Sequence, residues 1–474
     1  MSEYTLLPIR KGNSVMAILA KLYKRQANRS KRRLSAMQIV ALVFIAIILT
    51  GTLLLMLPCA SRNGQSCGFL PALFTATSAT CVTGLVVFDT CVQWTGFGQV
   101  VILCMIQLGG IGFMSVASLV FFVMRRRVGM KQRMVMAQAL SLSDMESVLK
   151  IQKLVLIGSF SVEAVGALIL TLRFLPEFGL RRALIWGIFH SVSAFCNAGF
   201  DLFGCLRPGS SLELFQSDPV VLLTLGVLVV IGGLGFLVWE EVARVRSFRK
   251  LSVYTKLVLL TTLALLLGGA VLFALLEWNN PNTLGALSVP DKLLGSLFQS
   301  ITTRTAGFAG FDQAGLSEAG KGVTIALMLI GGSSGSTAGG LKTVTFVVLL
   351  LFLWHRAREK ETVSVFKRTV PSSQVMNAMT IFGIMLLLAL FGGVFISATS
   401  PVSFADSLYE SVSALATVGL TAGATGKLSV ASQILMIIYM YFGRVGVLTI
   451  SLGFLTADRA EERFQYAQTN LLIG

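Results

Sequence analysis

Four short segments of this 474-residue chain share one pattern of residue types. Each begins with an aromatic residue, runs through Ser, Thr and Ala, and ends on a glycine that an apolar residue follows. Glycine adopts backbone angles that other residues avoid, so such a segment can turn its carbonyl oxygens towards a cation. The chemistry indicated is cation coordination by carbonyl oxygens. The four segments are Phe74–Gly84, Phe189–Gly199, Phe298–Gly307 and Tyr409–Gly419.

The spacing of these segments divides the chain into four units. The closing glycines are 115, 108 and 112 residues apart, a period that suits a helix, a short element and a second helix. We therefore expect a basic arm at 1–36, pore units at 37–127, 128–250 and 251–368, and a fourth unit with its tail at 369–474.

The composition places these units in a lipid bilayer. Hydrophobic residues make up 54% of the chain and charged residues 13%, with a mean hydropathy of +0.79, far from the average of soluble domains. The net charge of +17 would suit a nucleic-acid partner in a soluble protein. We expect no nucleic acid here, because 28 of the 39 Lys and Arg residues fall in the arm, the loops between units and the tail.

Each unit has one apolar run on either side of its short segment. Each run has the roughly 20 residues that a spanning helix needs, whereas a segment of about eleven residues is too short to cross. Positive charge on cytoplasmic loops predicts that both termini are cytoplasmic and that the short segments enter from the outer face of the plasma membrane. The runs are Met37–Leu57, Gly98–Met124, Leu154–Leu175, Val220–Val242, Lys256–Leu276, Val323–Trp354, Val375–Ile396 and Ile434–Phe454.

The fold class predicted is an all-α polytopic membrane protein with eight spanning helices and four re-entrant pore segments around a central pseudo-fourfold pore. Re-entrant backbone is tolerated only where protein buries it or water lines it. Half-helices entering from outside would direct their negative ends at the membrane centre and favour a cation there. Small residues that only let helices pack closely are the alternative. The presence of four copies favours the pore.

The chain resembles the Trk/Ktr/HKT superfamily of potassium transporters and channels. The resemblance extends from Met37 to about Leu455 and is most specific in TATSATCVTGL at 75–85, SITTRTAGF at 300–308 and GGSSGSTAGGLKT at 331–343. The chain is most similar to the KtrB membrane subunit, because its first pore unit follows the arm directly.

This resemblance implies a potassium selectivity filter with glycine at all four positions. Sodium-preferring plant members have serine at the first position, so the pattern favours potassium as the bound ion, with sodium dependence left open. The implied filter residues are Cys81, Val82, Thr83 and Gly84; Cys196, Asn197, Ala198 and Gly199; Thr305, Ala306 and Gly307; and Ala416, Thr417, Val418 and Gly419.

A glycine-rich stretch interrupts the apolar run of the third unit. It lacks the spacing and the strand of a phosphate-binding loop, and its apolar flanks exclude a linker. A helix broken at membrane depth must be buried or line a cavity, so we interpret the stretch as a gate, with a glycine packing kink as the alternative. The gate residues are Gly331, Gly332, Ser333, Ser334, Gly335, Ser336, Thr337, Ala338, Gly339, Gly340, Lys342 and, in the last run, Arg444.

Cations within membrane-level segments indicate function or bracing. Arg444 is expected to act as an electrostatic barrier in the ion path; satisfying helix-end carbonyls is the alternative. Arg304 is expected to brace the third pore segment, with a carboxylate as its suggested partner.

Several acidic residues and cysteines give weaker signals. Asp89, Asp201 and Asp312 follow filter glycines closely, so either an acidic vestibule or solvated loop charges would explain them equally well. Glu163 is expected to hydrogen-bond between helices rather than serve in a relay. Cys59, Cys67 and Cys91 can face the outside, but their pairing is not deducible.

No paired catalytic groups are visible, so we expect no enzyme and no organic cofactor in this chain. A secondary cation transporter with alternating access is the alternative function, although such proteins usually show two related halves. The resemblance implies a homodimer with one pore per protomer and a cytosolic nucleotide-binding ring of the KtrA or TrkA type, with the nucleotide on that partner. The basic loops Arg125–Lys131 and Arg356–Lys367 are candidates for docking the ring, although the positive-inside rule alone also explains them.

Overall fold

The computed structural model describes residues 36–112 and 147–446, with side chains from residue 40 and residue 153 onwards in the two ranges. The predicted arm, Arg125–Lys131 and the tail lie outside the described residues. The structure is mostly helical. Its helices are α1 (Ala36–Leu55), α2 (Phe69–Thr80), α3 (Thr90–Gln93), α4 (Gly96–Ile111), α5 (Ser147–Phe195), α6 (Pro219–Leu234), α7 (Phe236–Val245), α8 (Val253–Glu277), α9 (Val289–Thr302), α10 (Glu318–Leu329), α11 (Thr343–Arg356), α12 (Ser372–Thr399), α13 (Phe404–Leu415) and α14 (Val430–Val445).

Among the described residues, three helices are long and apolar enough to cross a membrane by length and composition: Lys153–Phe195 within α5, α8 and α12. The pair α6 and α7 counts as a fourth span if its bend is included, and Val40–Leu55, α4, α11 and α14 are shorter apolar helices. Within the described residues each predicted run falls on helix, with Val323–Trp354 divided between α10 and α11. The ends of the runs Gly98–Met124 and Ile434–Phe454 lie outside those residues.

Each unit packs its short helix between longer ones. In the first unit α2 contacts α1 and α4, and in the fourth α13 contacts α12 and α14. In the second unit the two roles are combined in α5, whose helical path is interrupted at Gly179 (φ 73°). In the third unit α9 packs on α8. The repeat in sequence thus corresponds to a repeat in packing.

Two short helices begin with the same capping sequence. Ser288 accepts a hydrogen bond from the backbone N–H of Asp291 at the start of α9, and Ser403 accepts one from Asp406 at the start of α13. Each serine also donates to the carboxylate it precedes, at 2.7 and 2.8 Å. Each serine thus satisfies one free backbone N–H of the helix start, and its bond to the carboxylate fixes the first turn of the short helix.

The second long helix of a unit stops or bends sharply at a glycine with positive φ. Gly112 (φ 85°) follows α4, Gly235 (φ 92°) separates α6 from α7, and Gly446 (φ 94°) follows α14. The axes of α6 and α7 differ by 93°. The predicted run Val220–Val242 is therefore a bent pair of helices and not one continuous helix, because Gly235 adopts a positive φ that a continuous helix does not contain.

Among the described residues, a short hairpin and a disulfide also connect these elements. A two-stranded antiparallel hairpin, β1 (Ser364–Val365) and β2 (Arg368–Thr369), connects α11 to α12. A disulfide joins Cys91 in α3 to Cys205, in the segment after α5. It links the first unit to the second, a pairing that the sequence left open.

Candidate functional site

The four short helices all end beside the glycine segments. Helices α2, α5, α9 and α13 stop at Thr80, Phe195, Thr302 and Leu415. We call Cys81–Gly84, Cys196–Gly199, Thr305–Gly307 and Ala416–Gly419 the ring segments. These four helix ends surround the ring segments. Because a helix C-terminus carries a partial negative charge, they favour a cation there.

The backbone of the ring segments has an unusual and repeated conformation. Two residues before its glycine, each segment has a non-glycine residue with positive φ: Val82 (57°), Asn197 (59°), Thr305 (67°) and Thr417 (52°). Each closing glycine is also positive, at φ 100°, 68°, 84° and 96° in chain order. Positive φ is uncommon outside glycine, and its recurrence at four matching positions indicates a built feature.

The four closing glycines form a closed ring. A Cβ added to Gly84 would lie 2.5 Å from the carbonyl oxygen of Ala198, and one on Gly199 would lie 2.7 Å from that of Ala306. A Cβ added to Gly307 would likewise lie 2.5 Å from the carbonyl oxygen of Val418.

The fourth contact closes the circle, because a Cβ on Gly419 would overlap the carbonyl oxygen of Thr83 in the first unit. Four carbonyl groups and four glycines therefore surround one axis, a geometry that only glycine permits. We call Gly84, Gly199, Gly307 and Gly419 the glycine ring.

Buried hydroxyl groups brace the ring segments, a feature that the sequence analysis missed. Ser78 and Ser413 accept hydrogen bonds from the backbone N–H of Gly84 and Gly419, both at 3.1 Å. Ser193 and Thr302 donate to the carbonyls of Phe200 and Phe308, both at 2.7 Å. Three hydroxyls stand six residues before their glycine and Thr302 stands five before, which matches the shorter third segment. Their repetition was a readable signal.

The residue after the aromatic position of a short helix gives a second brace. His190 Nε2 accepts from the backbone N–H of Leu202 at 3.1 Å, and Gln299 donates to Gln313 at 2.7 Å. Glu410 accepts from Thr425 at 2.8 Å. In three units this position therefore ties the short helix to the chain beyond the glycine ring.

A cavity of about 320 Å³ opens beyond the glycine ring, and all four ring glycines line it. The structure brings Asp89, Asp201 and Asp312 together in its wall and adds Glu213, which the sequence analysis did not single out. Asp89 is partly committed to structure, since its carboxylate accepts from the backbone N–H groups of Cys91, Val92 and Gly209. Asp89 is therefore not a freely solvated loop charge, because it caps α3 from the wall of this cavity.

Asp201 has the most perturbed carboxyl group in this wall. Burial, followed by the charge of Asp89, raises its pKa to about 7, although hydrogen bonds from the backbone N–H of Phe203 and the side chain of Ser211 oppose the shift. Asp201 therefore changes charge near neutral pH.

On the opposite side of the ring, a loop from Ile330 to Lys342 interrupts the third unit between α10 and α11. We call it the crossing loop. A Cβ on Gly340 would lie 3.2 Å from the carbonyl oxygen of Ala416, and one on Gly339 would overlap the hydroxyl of Thr417. The Thr337 hydroxyl donates to the carbonyl of Phe195 at 3.2 Å. The loop thus contacts the inner ends of the second and fourth ring segments, and the predicted break in the third-unit run is confirmed.

The bend between α6 and α7 holds the crossing loop. The backbone N–H groups of Ser333 and Thr337 donate to Gly233 and Gly232, at 3.1 and 3.2 Å. The N–H of Phe236 donates to Gly335 at 2.9 Å, and the Tyr254 hydroxyl donates to Ser334 at 3.0 Å. The backbone groups that the α6–α7 bend leaves without helical partners therefore hydrogen-bond to the crossing loop of the third unit.

Arg444 connects the crossing loop to the first unit. Its guanidinium donates to the carbonyls of Thr337 and Gly109, and to that of Gly110 at 3.1 Å. Arg444 therefore satisfies helix-end carbonyls, and its positive charge lies beside the crossing loop. Its expected action as an electrostatic barrier stays a prediction.

Arg304 and Lys342, two further cations near the crossing loop, also donate to carbonyls. Arg304 donates to Gly331 at 3.2 Å, and among the described residues no carboxylate lies within salt-bridge distance of it. Among the described residues Arg304 therefore binds a carbonyl at the break after α10 and not the suggested carboxylate. Lys342 donates to Ala338 at 2.8 Å within the loop.

A second repeat in the sequence explains where these helices break. The first unit has GGIG at 109–112, the second GGLG at 232–235 and the fourth GRVG at 443–446. Arg444 thus occupies the position of Gly110 and Gly233. The first glycine of each repeat packs against the end of the short helix of its own unit, at the carbonyls of Thr80, Phe195 and Leu415. This repeat is readable in the sequence but was not among the predicted features.

Comparisons with known proteins identify the family of this chain. The family model described as "TrkH: Cation transport protein" matches residues 12–463. The chain is 38% identical to the potassium/sodium uptake protein NtpJ of Enterococcus hirae, over 94% of this chain and 99% of that one. It is 37% identical to the Ktr system potassium uptake protein B of Bacillus subtilis, over 91% and 96%.

Among solved structures, the chain is similar to the potassium transporter TrkH from Vibrio parahaemolyticus, with a TM-score of 0.68 and 18% identity. That match covers 88% of this chain and 84% of the other, and it concerns the fold. The family consists of transporters and not of enzymes. The chain is a polytopic membrane protein that belongs to the TrkH family of cation transport proteins.

Proposed function

We propose that this chain conducts potassium ions across the plasma membrane as the pore-forming subunit of a Ktr-type uptake system. The observation that carries the proposal is the closed glycine ring, in which carbonyls from four units meet around one axis beside four helix C-termini. Carbonyl rings replace the hydration shell of a cation in selective pores. The printed names of relatives that take up potassium support the choice of ion.

In this proposal the crossing loop is the gate. It contacts Ala416 and Thr417 directly under the ring, and Arg444 holds it against the first unit. An ion leaving the ring would meet this loop and a fixed positive charge. The acidic cavity is then the outer vestibule, and both termini are cytoplasmic.

The experiment is flux into proteoliposomes that contain the purified chain. Potassium or rubidium should enter down its gradient without any coupled ion, faster than sodium does. Concentrative uptake that requires a second ion gradient would support alternating access instead. The absence of potassium flux from folded protein would refute the pore.

We further propose that the chain forms a homodimer and binds a cytosolic nucleotide-binding ring, since the names of Ktr relatives imply systems with more than one component. The loop from Arg356 to Lys367 is the described candidate for docking; Arg356, Arg358, Lys360 and Lys367 are its cations. Neutralising these four should lower co-purification of a ring subunit while leaving basal flux unchanged. If neutralising neither this loop nor Arg125–Lys131 changes co-purification of the ring subunit, the positive-inside rule alone explains the basic charges.

A further inference from the structure

A polar pair lies behind the second ring segment at membrane depth. The Gln107 amide on α4 donates to both carboxylate oxygens of Glu163 on α5, at 3.0 Å each. Glu163 is only 4% exposed. A carboxylate within a membrane segment is costly and usually functional, and Glu163 lines neither the acidic cavity nor the crossing loop.

The surroundings of the pair are otherwise apolar. A cavity of about 400 Å³ adjoins it, lined by Leu103, Phe160, Ala164, Ala167, Ile188 and Val192, by Cys104, and by the pair itself. Gln107 and Glu163 are the strongly polar side chains in this wall, so little else nearby competes for their hydrogen bonds.

On its other side the pair contacts Cys196, the first residue of the second ring segment. The Cys196 thiol lies 3.8 Å from Gln107 Oε1 and 4.0 Å from Glu163 Oε1, within the range of a sulfur hydrogen bond. The Ser191 hydroxyl, on the short-helix part of α5, donates to the Glu163 carbonyl at 2.6 Å. The pair and its helix turn therefore fix both the end of the short helix and the start of the ring segment.

The last turn of α4 contacts both the second ring segment and Arg444, which holds the crossing loop. A Cβ on Gly110 would overlap the Cys196 sulfur, so α4 lies directly against the ring segment. Gly109 and Gly110, two and three residues beyond Gln107, accept from Arg444, which also holds the crossing loop. The position of α4 beside Cys196 is thus set by Arg444 at its end and by Glu163 one turn earlier.

We propose that Gln107 and Glu163 are a positioning pair that holds the second ring segment in its conducting geometry and so sets the preference for potassium over sodium. This inference rests on the proposed pore function. The pair acts through a hydrogen bond between two helices and not as a ligand of the ion. Breaking that bond should let Cys196 and the ring segment relax, because a buried acceptor left without its donor rearranges or draws in water.

The test compares potassium and sodium flux in proteoliposomes for two variants that break the bond from opposite sides. Glu163→Leu and Gln107→Met should each lower the potassium over sodium preference about tenfold. Glu163→Gln retains an acceptor for the Gln107 amide and should remain within about twofold of the parent. The double variant Glu163→Leu/Gln107→Met should lose no more than either single one, since both remove the same bond.

Ser159→Ala is the matched control, because Ser159 is a fully buried polar residue one turn away on α5 whose hydroxyl has no hydrogen-bond partner among the described residues. Reduced folding alone would lower both fluxes together and leave their ratio unchanged. If Glu163→Leu does not fold, Gln107→Met tests the same bond. An unchanged ratio in the bond-breaking variants, or an equal loss in Glu163→Gln, overturns the positioning role. A parent that carries no potassium overturns the proposed function instead.

Discussion

At the residue scale, the glycine ring leaves little freedom in the choice of side chain. Each ring glycine combines a positive φ with a neighbouring carbonyl where its Cβ would be. Either property alone favours glycine, and together they exclude larger residues without a backbone shift. The four glycines are therefore the residues at which substitution should act on ion selectivity most directly.

Gly84→Ser should relax selectivity towards sodium. The added Cβ would lie 2.5 Å from the Ala198 carbonyl and 3.1 Å from Gly199 Cα, so the carbonyl ring must shift. We expect the potassium over sodium preference to fall about tenfold, the effect of roughly 1.4 kcal/mol, in an uptake assay with competing ions. Gly64→Ser is the control: Gly64 also has positive φ, but nothing lies within 4 Å of its Cβ position. An unaltered preference in Gly84→Ser would place the filter elsewhere.

Asp201 should make flux depend on pH on the cavity side. Because its pKa is raised to about 7, Asp201 is mostly ionised at pH 8 and mostly neutral at pH 6. Loss of one negative charge lowers the local cation concentration, so potassium flux at low concentration should fall about twofold as the pH is lowered through 7. Flux measured from pH 6 to pH 8 in liposomes checks this.

Asp201→Asn should show the lower flux at every pH and no midpoint near 7. Asp312→Asn is the matched control, since it removes a charge from the same cavity wall but leaves Asp201 to titrate. A midpoint near 7 that survives in Asp201→Asn would assign the titration to another group.

At the element scale, the crossing loop interrupts the helical path of the third unit, and its two ends are hydrogen-bonded to each other. The Gly331 N–H donates to the Leu341 carbonyl at 2.8 Å, and Ile330 and Leu341 form a β-bridge. The intervening residues make a closed excursion beneath the glycine ring. They can therefore be removed without stretching the chain between α10 and α11.

Deleting Gly332–Gly340 should raise potassium flux about tenfold or more, because the obstruction under the ring is removed while the ring itself is untouched. The potassium over sodium preference measured in the same vesicles serves as an internal control and should be retained. A folded deletion variant whose flux stays at or below that of the parent would favour the packing-kink explanation of the glycine-rich stretch.

At the scale of the whole molecule, units far apart in sequence are held together by a few specific contacts. Lys321 in the third unit pairs with Asp406 in the fourth at 2.8 Å. The disulfide joins the first and second units across 114 residues of sequence. Asp89, at the cavity wall, caps α3, which carries Cys91. This covalent link therefore also supports the wall of the vestibule.

The double variant Cys91→Ser/Cys205→Ser should unfold at a lower temperature than the parent. A crosslink that closes a loop of this length contributes at most about 4.7 kcal/mol in the chain-entropy description, so a Tm lowered by several degrees in detergent is expected. The matched control is Cys59→Ser/Cys67→Ser, which removes two free cysteines of the same region. Equal Tm values for the two double variants would show that the disulfide contributes nothing.

Much of this protein was readable from local sequence. The four glycine segments, the apolar runs and the break at Gly331–Gly340 follow from composition and period, which depend on neighbouring residues. The positive φ values at Gly84 and its three counterparts accord with this pattern, since glycine is selected by the conformation of its own backbone. The fold class and the family were therefore correctly predicted before any contact was known.

Tertiary structure alone decided which residues meet. Most of these contacts join positions about 100 or more residues apart. They are the carbonyl partner of Arg304, the partners of Arg444 on other units, the Cys91–Cys205 pairing and the gathering of Asp89, Asp201, Glu213 and Asp312 at one cavity. No local pattern encodes such pairs, because they arise from the closure of four units around one axis. The bend at Gly235 does have a local signal, the GGLG repeat at 232–235, but the partners of its freed backbone groups lie in the crossing loop of another unit.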